Sequence, residues 1–201
     1  MFWGLPDISI SFCEDKYVVS KYIAEYYNTM SALSYIIVGL IFYNTKFKNL
    51  SRIIILLGLG TALLHGTLRF YGQWLDEVSM LILSFFLIKE VRETRFNKYT
   101  SNLYLFSLII PYFIFERYFC YFFLVFSSLQ IYIYKIAQMG REPSNKRYFL
   151  IKAYSLILIF SLGCWFCDQF FCDYVKNYQL HAVWHAGTAL ALLLGLTAFI
   201  I

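Results

Sequence analysis

Apolar residues gather into seven stretches separated by short polar gaps: Tyr22–Tyr43, Ile53–Tyr71, Leu75–Ile88, Leu103–Phe115, Tyr118–Ile136, Tyr148–Phe166 and His181–Ile201. Most approach the ~20 residues that a helix needs to cross a hydrocarbon core of about 30 Å. The fourth is short, and is either tilted or joined to the fifth by a tight turn at Glu116–Arg117. Leu103–Ile136 taken together is too long to cross once. The pattern predicts an all-α fold, a polytopic membrane protein built as a seven-transmembrane-helix bundle. No internal repeat, low-complexity run or shift in composition divides the chain. One domain over residues 1–201 is expected, with residues 1–21 as a short outer segment.

Composition agrees with the pattern. Sixty per cent of residues are hydrophobic and 14% charged, against about a quarter charged in soluble domains. Mean hydropathy is +0.61. The net charge of +5 does not signal nucleic acid, because the basic residues lie in gaps between apolar runs rather than in a patch or stripe. Residues 1–21 hold Asp7, Glu14 and Asp15 and lack an apolar run long enough for a signal peptide, so the first membrane helix is expected to direct insertion.

The basic residues also orient the bundle. Lys46, Lys48, Arg52, Lys89, Arg92, Arg95, Lys98, Lys135, Arg141, Lys146, Arg147 and Lys152 fall on one side, and Lys16, Lys21, Arg69, Arg117 and Lys176 on the other. The positive-inside rule then places the amino terminus outside and the carboxyl terminus in the cytoplasm. The expected residence is the endoplasmic reticulum or Golgi membrane of a eukaryote, or the inner membrane of a bacterium.

That topology brings all three histidines to one depth. His65 lies towards the outer end of the second stretch, and His181 and His185 open the last. The H-x-x-x-H spacing puts two imidazoles on one helix face. Three neutral imidazoles with an open fourth position are what a catalytic zinc requires. A lone membrane histidine is as readily an interhelical hydrogen-bonding group, but buried ionisable groups are costly and three at one depth point to function. Asp76 follows on the same side. It is open between metal ligand, partner of a ligand and general base, and in each case the chain must reverse between His65 and Asp76. Gly72 is the expected break. Thr61, one turn before His65, offers a hydroxyl either to substrate or to its own helix backbone. The absence of H-E-x-x-H disfavours a zincin-type protease.

Of the five cysteines, Cys13 and Cys172 share the outer side, where an oxidising compartment permits a disulfide. Cys120 and Cys164 are expected to be buried small hydrophobes, and Cys164/Cys167 lacks the second pair that a zinc ribbon needs. Glu14, Asp15 and Glu25 form an acidic outer group. Glu25 sits inside an apolar run and requires a partner, for which Lys16 is the nearest cation in sequence.

These blocks resemble the alkaline ceramidases, seven-helix lipid amidases of the wider group that contains the adiponectin receptors. The resemblance rests on Phe12-Cys13-Glu14, Tyr22-Ile23-Ala24-Glu25-Tyr26-Tyr27-Asn28-Thr29, His65-Gly66-Thr67-Leu68 with Leu75-Asp76-Glu77, Trp165-Phe166-Cys167-Asp168 with Cys172, and His181-Ala182-Val183-Trp184-His185. It implies Zn2+ held by His65, His181 and His185, with Asp76 activating water for attack on the amide of a ceramide or a related N-acyl lipid. It also implies a Cys13–Cys172 disulfide. The family places a serine where Thr61 stands, as a catalytic hydroxyl.

A second departure concerns calcium. The family pattern Asp-Trp-Cys-Glu-x-Asn with a later Glu reads here Ser11-Phe12-Cys13-Glu14-Asp15-Lys16, with Glu25 retained. One carboxylate and one amide are missing and a cation stands in the amide position, so calcium is expected to be absent with Lys16 in its place. The leading expectation is a zinc-dependent intramembrane amide hydrolase releasing a fatty acid and a sphingoid base or amine. The alternative is a seven-helix lipid-binding or receptor-like protein with structural zinc, and Asp76 argues for chemistry. The expected partner is a membrane lipid, with neither nucleic acid nor an obligate protein partner.

Overall fold

The computed structural model of the chain describes residues 1–138 and 145–200. Arg141, used above for orientation, and Ile201, the end of the last apolar stretch, lie outside the described residues. All regular structure among the described residues is helical. The helices are α1 (Tyr26–Ser31), α2 (Leu33–Phe42), α3 (Lys48–Thr67), α4 (Phe70–Phe96), α5 (Leu103–Ile114), α6 (Phe119–Gln138), α7 (Asn145–Phe170), α8 (Cys172–Val175) and α9 (Leu180–Ile200), with a 3-10 turn at Lys176–Tyr178. Four of them (α3, α6, α7 and α9) are long and apolar enough to cross a membrane, while Tyr26–Phe42 and α5 are shorter apolar helices.

The apolar stretches located the helices but not their ends. α4 runs beyond Leu75–Ile88 at both ends, and past Ile88 it continues because Lys, Glu and Arg are good helix formers. Lys89 and Glu93 pair at 3.9 Å across one turn of this extension. The helix stops at Asn97, whose φ of 52° is the left-handed conformation that Asn tolerates at a helix end. The fourth and fifth stretches are separate helices, joined where Tyr118 N donates to Phe115 O at 2.8 Å.

α4 is the axis of the packing. Leu83 joins Ile54, Leu57 and Leu196 in one core cluster. Val78 and Leu81 meet Tyr112 and Phe122 in a second, and Ile88 and Val91 meet Ile133 and Ile136 in a third. Large apolar side chains elsewhere point outwards, among them Leu40, Phe106, Ile159 and Phe160. An outward face of that kind suits hydrocarbon rather than water.

The reversal between His65 and Asp76 occurs at Leu68 and Arg69, not at Gly72. Leu68 adopts a left-handed φ of 54°, its N–H closing on Leu64 O, and Arg69 is extended before α4 begins. Gly72 lies inside α4 and serves packing instead. A Cβ there would stand 2.6 Å from Leu64 N and 2.7 Å from its Cα. A Cβ on Gly60 of α3 would likewise stand 2.8 Å from the amide nitrogen of Asp76. Small residues at both contacts let the two helices touch backbone to backbone.

Backbone atoms in two helices cannot yield to a methyl group. Gly72→Ala should therefore push α3 and α4 apart and destabilise the protein by about 1–3 kcal/mol. A thermal unfolding midpoint in detergent equal to that of the parent protein would show that the contact is not so tight.

Candidate metal centre

The three histidines arrive on two helices. His65 sits in the last turn and a half of α3, and His181 and His185 occupy one face at the start of α9. Their ring centroids form a near-equilateral triangle with sides of 5.0, 5.0 and 4.7 Å. One ligand atom from each lies within 4.8 Å of the others, and all three residues are buried. Phe12 roofs the group, its ring 4.6 Å from that of His65 and 4.5 Å from that of His181.

Neighbouring hydrogen bonds settle which ring nitrogen faces inwards. His65 Nδ1 lies 2.6 Å from Glu25 Oε2, and a carboxylate accepts, so Nδ1 carries the proton. The Ser31 hydroxyl lies 2.7 Å from His185 Nδ1 and donates its own hydrogen to Asn28 O at 2.8 Å. With that hydrogen spent, Ser31 Oγ accepts from His185 Nδ1. Both rings are left with a lone pair on Nε2, the form a metal ligand needs. The donor set therefore fits a divalent ion of borderline softness, held by three neutral imidazoles.

Asp76 reaches the site because α4 crosses α3 so closely. Its Oδ1 accepts from the Thr61 hydroxyl, which also contacts Leu57 O at 2.9 Å. The back-bonding position expected for Thr61 is thus occupied, and its second neighbour is Asp76. Thr61, Asp76 and the three histidines line one cavity of about 60 Å3. Through Phe126, Leu162 and Trp184 it adjoins an apolar groove of about 310 Å3, bounded by Ile131, Leu158 and Ile159 on α6 and α7. Glu77, beside Asp76, also lines the cavity and is held by Gln73 Nε2 at 2.8 Å and Tyr112 OH at 2.7 Å.

The acidic outer group separates into distinct tasks. Glu25 is fully buried, with Lys16 Nζ 2.8 Å from Oε1 and His65 on Oε2. Lys16 also donates to the carbonyls of Phe12 and Glu14, the latter at 2.7 Å. The Glu14 carboxylate is not offset by Lys16. It accepts instead from the amides of Tyr27 at 2.7 Å and Asn28 at 2.8 Å, the first free donors of α1. Burial pushes the Glu14 carboxyl up from its ordinary range, and those two amides pull against it. Asp15 stays outside, 3.9 Å from Lys176, and Ser11 is exposed. Sequence reasoning assigned nothing to Ser31 or Gln73. Both are small polar side chains in ordinary apolar contexts, and only the fold brings them to their partners.

A model of the family described as Ceramidase matches residues 4–201. The alkaline ceramidase of Arabidopsis thaliana is 30% identical over 92% of this chain and 79% of its own length. A putative alkaline ceramidase of Dictyostelium discoideum is 27% identical, covering 94% and 85%. Mouse alkaline ceramidase 3 is 26% identical, covering 94% and 81%.

Cys13 and Cys172 are paired, with Cα atoms 5.3 Å apart and 159 residues between them in sequence. The bond pins the roof segment to the start of α8. Cys164 is buried as expected, whereas Cys120 is exposed at the beginning of α6, on a face that an apolar environment would cover equally well. Peptide mapping without reduction should recover a linked Cys13–Cys172 pair. Recovery of both as free thiols from an oxidising compartment would contradict the pairing.

Proposed function

The chain belongs to the Ceramidase family, and on that premise we propose that it is an intramembrane hydrolase that cleaves the amide of ceramide or a related N-acyl lipid. The observation that carries this reading is a single cavity that holds three convergent histidines and Asp76 and adjoins an apolar groove. In the proposed arrangement residues 1–201 form one seven-helix membrane domain, with the amino terminus outside and the carboxyl terminus cytoplasmic. His65, His181 and His185 hold zinc, which when bound lowers the pKa of water and polarises a carbonyl.

The remaining steps fall to the chain's own groups. Glu25 and Ser31 keep two imidazoles in the ligating tautomer. Asp76 accepts a proton from the attacking water as its oxygen bonds to the amide carbon. It returns that proton to the nitrogen as the C–N bond breaks, releasing a fatty acid and a sphingoid base or other amine. Thr61 holds Asp76 in place through Oδ1. Its single hydroxyl hydrogen is committed to Asp76 or Leu57, which favours positioning the base over donating to the substrate. Phe12 keeps water from above, and the groove between α6 and α7 receives a lipid chain.

The cation of the outer segment belongs to the protein. Lys16 Nζ stands among three oxygens, those of Phe12, Glu14 and Glu25, and an ammonium has three hydrogens to give. Lys16 thus takes the place of calcium and ties the segment to α1 without a metal.

Purified protein incubated with defined N-acyl lipids, with and without a zinc chelator, tests the central reading. Chelator-sensitive release of fatty acid is expected, and lipid binding without turnover would instead favour a receptor-like role. His181→Ala should lose the ion by metal analysis while remaining folded. Asp76→Asn should keep the ion and lose roughly 10²–10⁴ in rate. Loss of metal from that variant would make Asp76 a ligand. A calcium-selective chelator should change neither activity nor thermal stability, and calcium-dependent activation of the parent protein would remove Lys16 from the role given to it.

A further inference from the structure

Two of the three histidines have a hydrogen-bond acceptor on Nδ1, and the third does not. His181 is 4% exposed, and its Nδ1 has no hydrogen-bond partner among the described residues. In the ligating tautomer that nitrogen carries a hydrogen, and leaving it unpaired at that depth costs on the order of 1–3 kcal/mol. Within ion-pair range stands the Asp168 carboxylate, with Oδ2 3.7 Å from His181 Nδ1.

Asp168 has the complementary shortage. It is 3% exposed, near the outer end of α7, where a carboxylate is expensive. The hydrogen bonds to its Oδ2 are long, 3.3 Å from Cys13 N and 3.4 Å from Gln169 Nε2. Two bonds at the edge of hydrogen-bonding range do not offset the burial of a charge. Each group lacks what the other supplies: an imidazole N–H without an acceptor, and a carboxylate without a strong donor.

We infer that Asp168 is the positioning residue for His181, accepting its Nδ1–H and so completing for the third imidazole what Glu25 and Ser31 do for the other two. The inference rests on the metal reading above and adds to it a role for a residue that touches neither substrate nor ion. Cys13 supplies the amide that steadies Asp168, and the Cys13–Cys172 disulfide fixes Cys13 in turn. The disulfide is thereby coupled to the metal site through one carboxylate.

The test reads zinc affinity rather than turnover. Purified protein competes for zinc with a chromophoric chelator, and Asp168→Ala should bind roughly 10–100-fold more weakly than the parent. Asp168→Asn, which keeps an acceptor oxygen, should recover part of that loss. Reduction of the disulfide should weaken zinc binding in the parent and add little in Asp168→Ala, the non-additivity expected of groups that act in series. A purely structural Asp168 would lower the unfolding midpoint of the metal-free protein without moving zinc affinity, and that result overturns the inference. Should Asp168→Ala fail to fold, nitrogen-15 NMR of the zinc-loaded parent decides independently. A hydrogen-bonded Nδ1 proton on His181 is expected, and its absence overturns the inference. A parent protein that binds no divalent ion overturns the metal reading itself, whereas parent-like affinity in Asp168→Ala overturns the inference alone.

Discussion

A single fully buried carboxylate, that of Glu25, sets the terms for the outer half of the molecule. A charge at that depth is tolerated only when paired and hydrogen-bonded, and its two oxygens are claimed by Lys16 and His65. The first pairing draws the outer segment down onto the bundle. The second fixes the tautomer of a histidine on α3. The backbone around Glu25 repeats the connection, since Ala24 N and Glu25 N donate to the carbonyls of Gly66 and His65 at 2.9 Å each. The carbonyls at the end of α3 are thus satisfied by the same segment that orients its histidine.

The α3–α4 contact is the second determinant. A carboxylate eleven residues from a histidine in sequence becomes its neighbour only if the chain turns sharply and the two helices then touch. Leu68 supplies the turn and Gly60 and Gly72 the touch. The same closeness places Thr61 against Asp76, so the proposed base is held by the helix that carries the proposed ligand. Asp7 secures the turn from outside. It pairs with Arg69 at 2.9 Å and accepts from the first amide of α4 at 2.5 Å.

The roof joins the two. Its residues are fastened by Ser9 to Gln73, by Cys13 to Cys172, by Glu14 to α1 and by Lys16 to Glu25. Four anchors within eight residues leave Phe12 little freedom above the histidines. Glu14, Glu25 and Gln73 at the mouth find protein partners, while the inner groove remains apolar. That division suits a lipid with a polar linkage and apolar chains.

The amino-acid sequence by itself determined the helical class, the approximate position of the long helices, the histidine triad and the Glu25–Lys16 partnership; the Cys13–Cys172 pairing came from the family resemblance. These were legible because hydrophobic periodicity is local, and because a histidine or buried carboxylate in an apolar run is costly enough to stand out. Helix ends were not legible, since charged helix formers carry α4 and α7 past their apolar parts. Nor was the turn at Leu68, because a non-glycine residue in a left-handed conformation is selected by the packing around it. Gly72 looked like a break and proved to be a contact. Glu14, read in sequence as one of an acidic outer group, has its carboxylate held by the backbone amides of Tyr27 and Asn28. The partners of the imidazoles, Ser31 above all, were decided only by tertiary structure. A serine carries no sign in sequence of which hydrogen it gives and which it receives, and that depends on the atoms that folding brings to it.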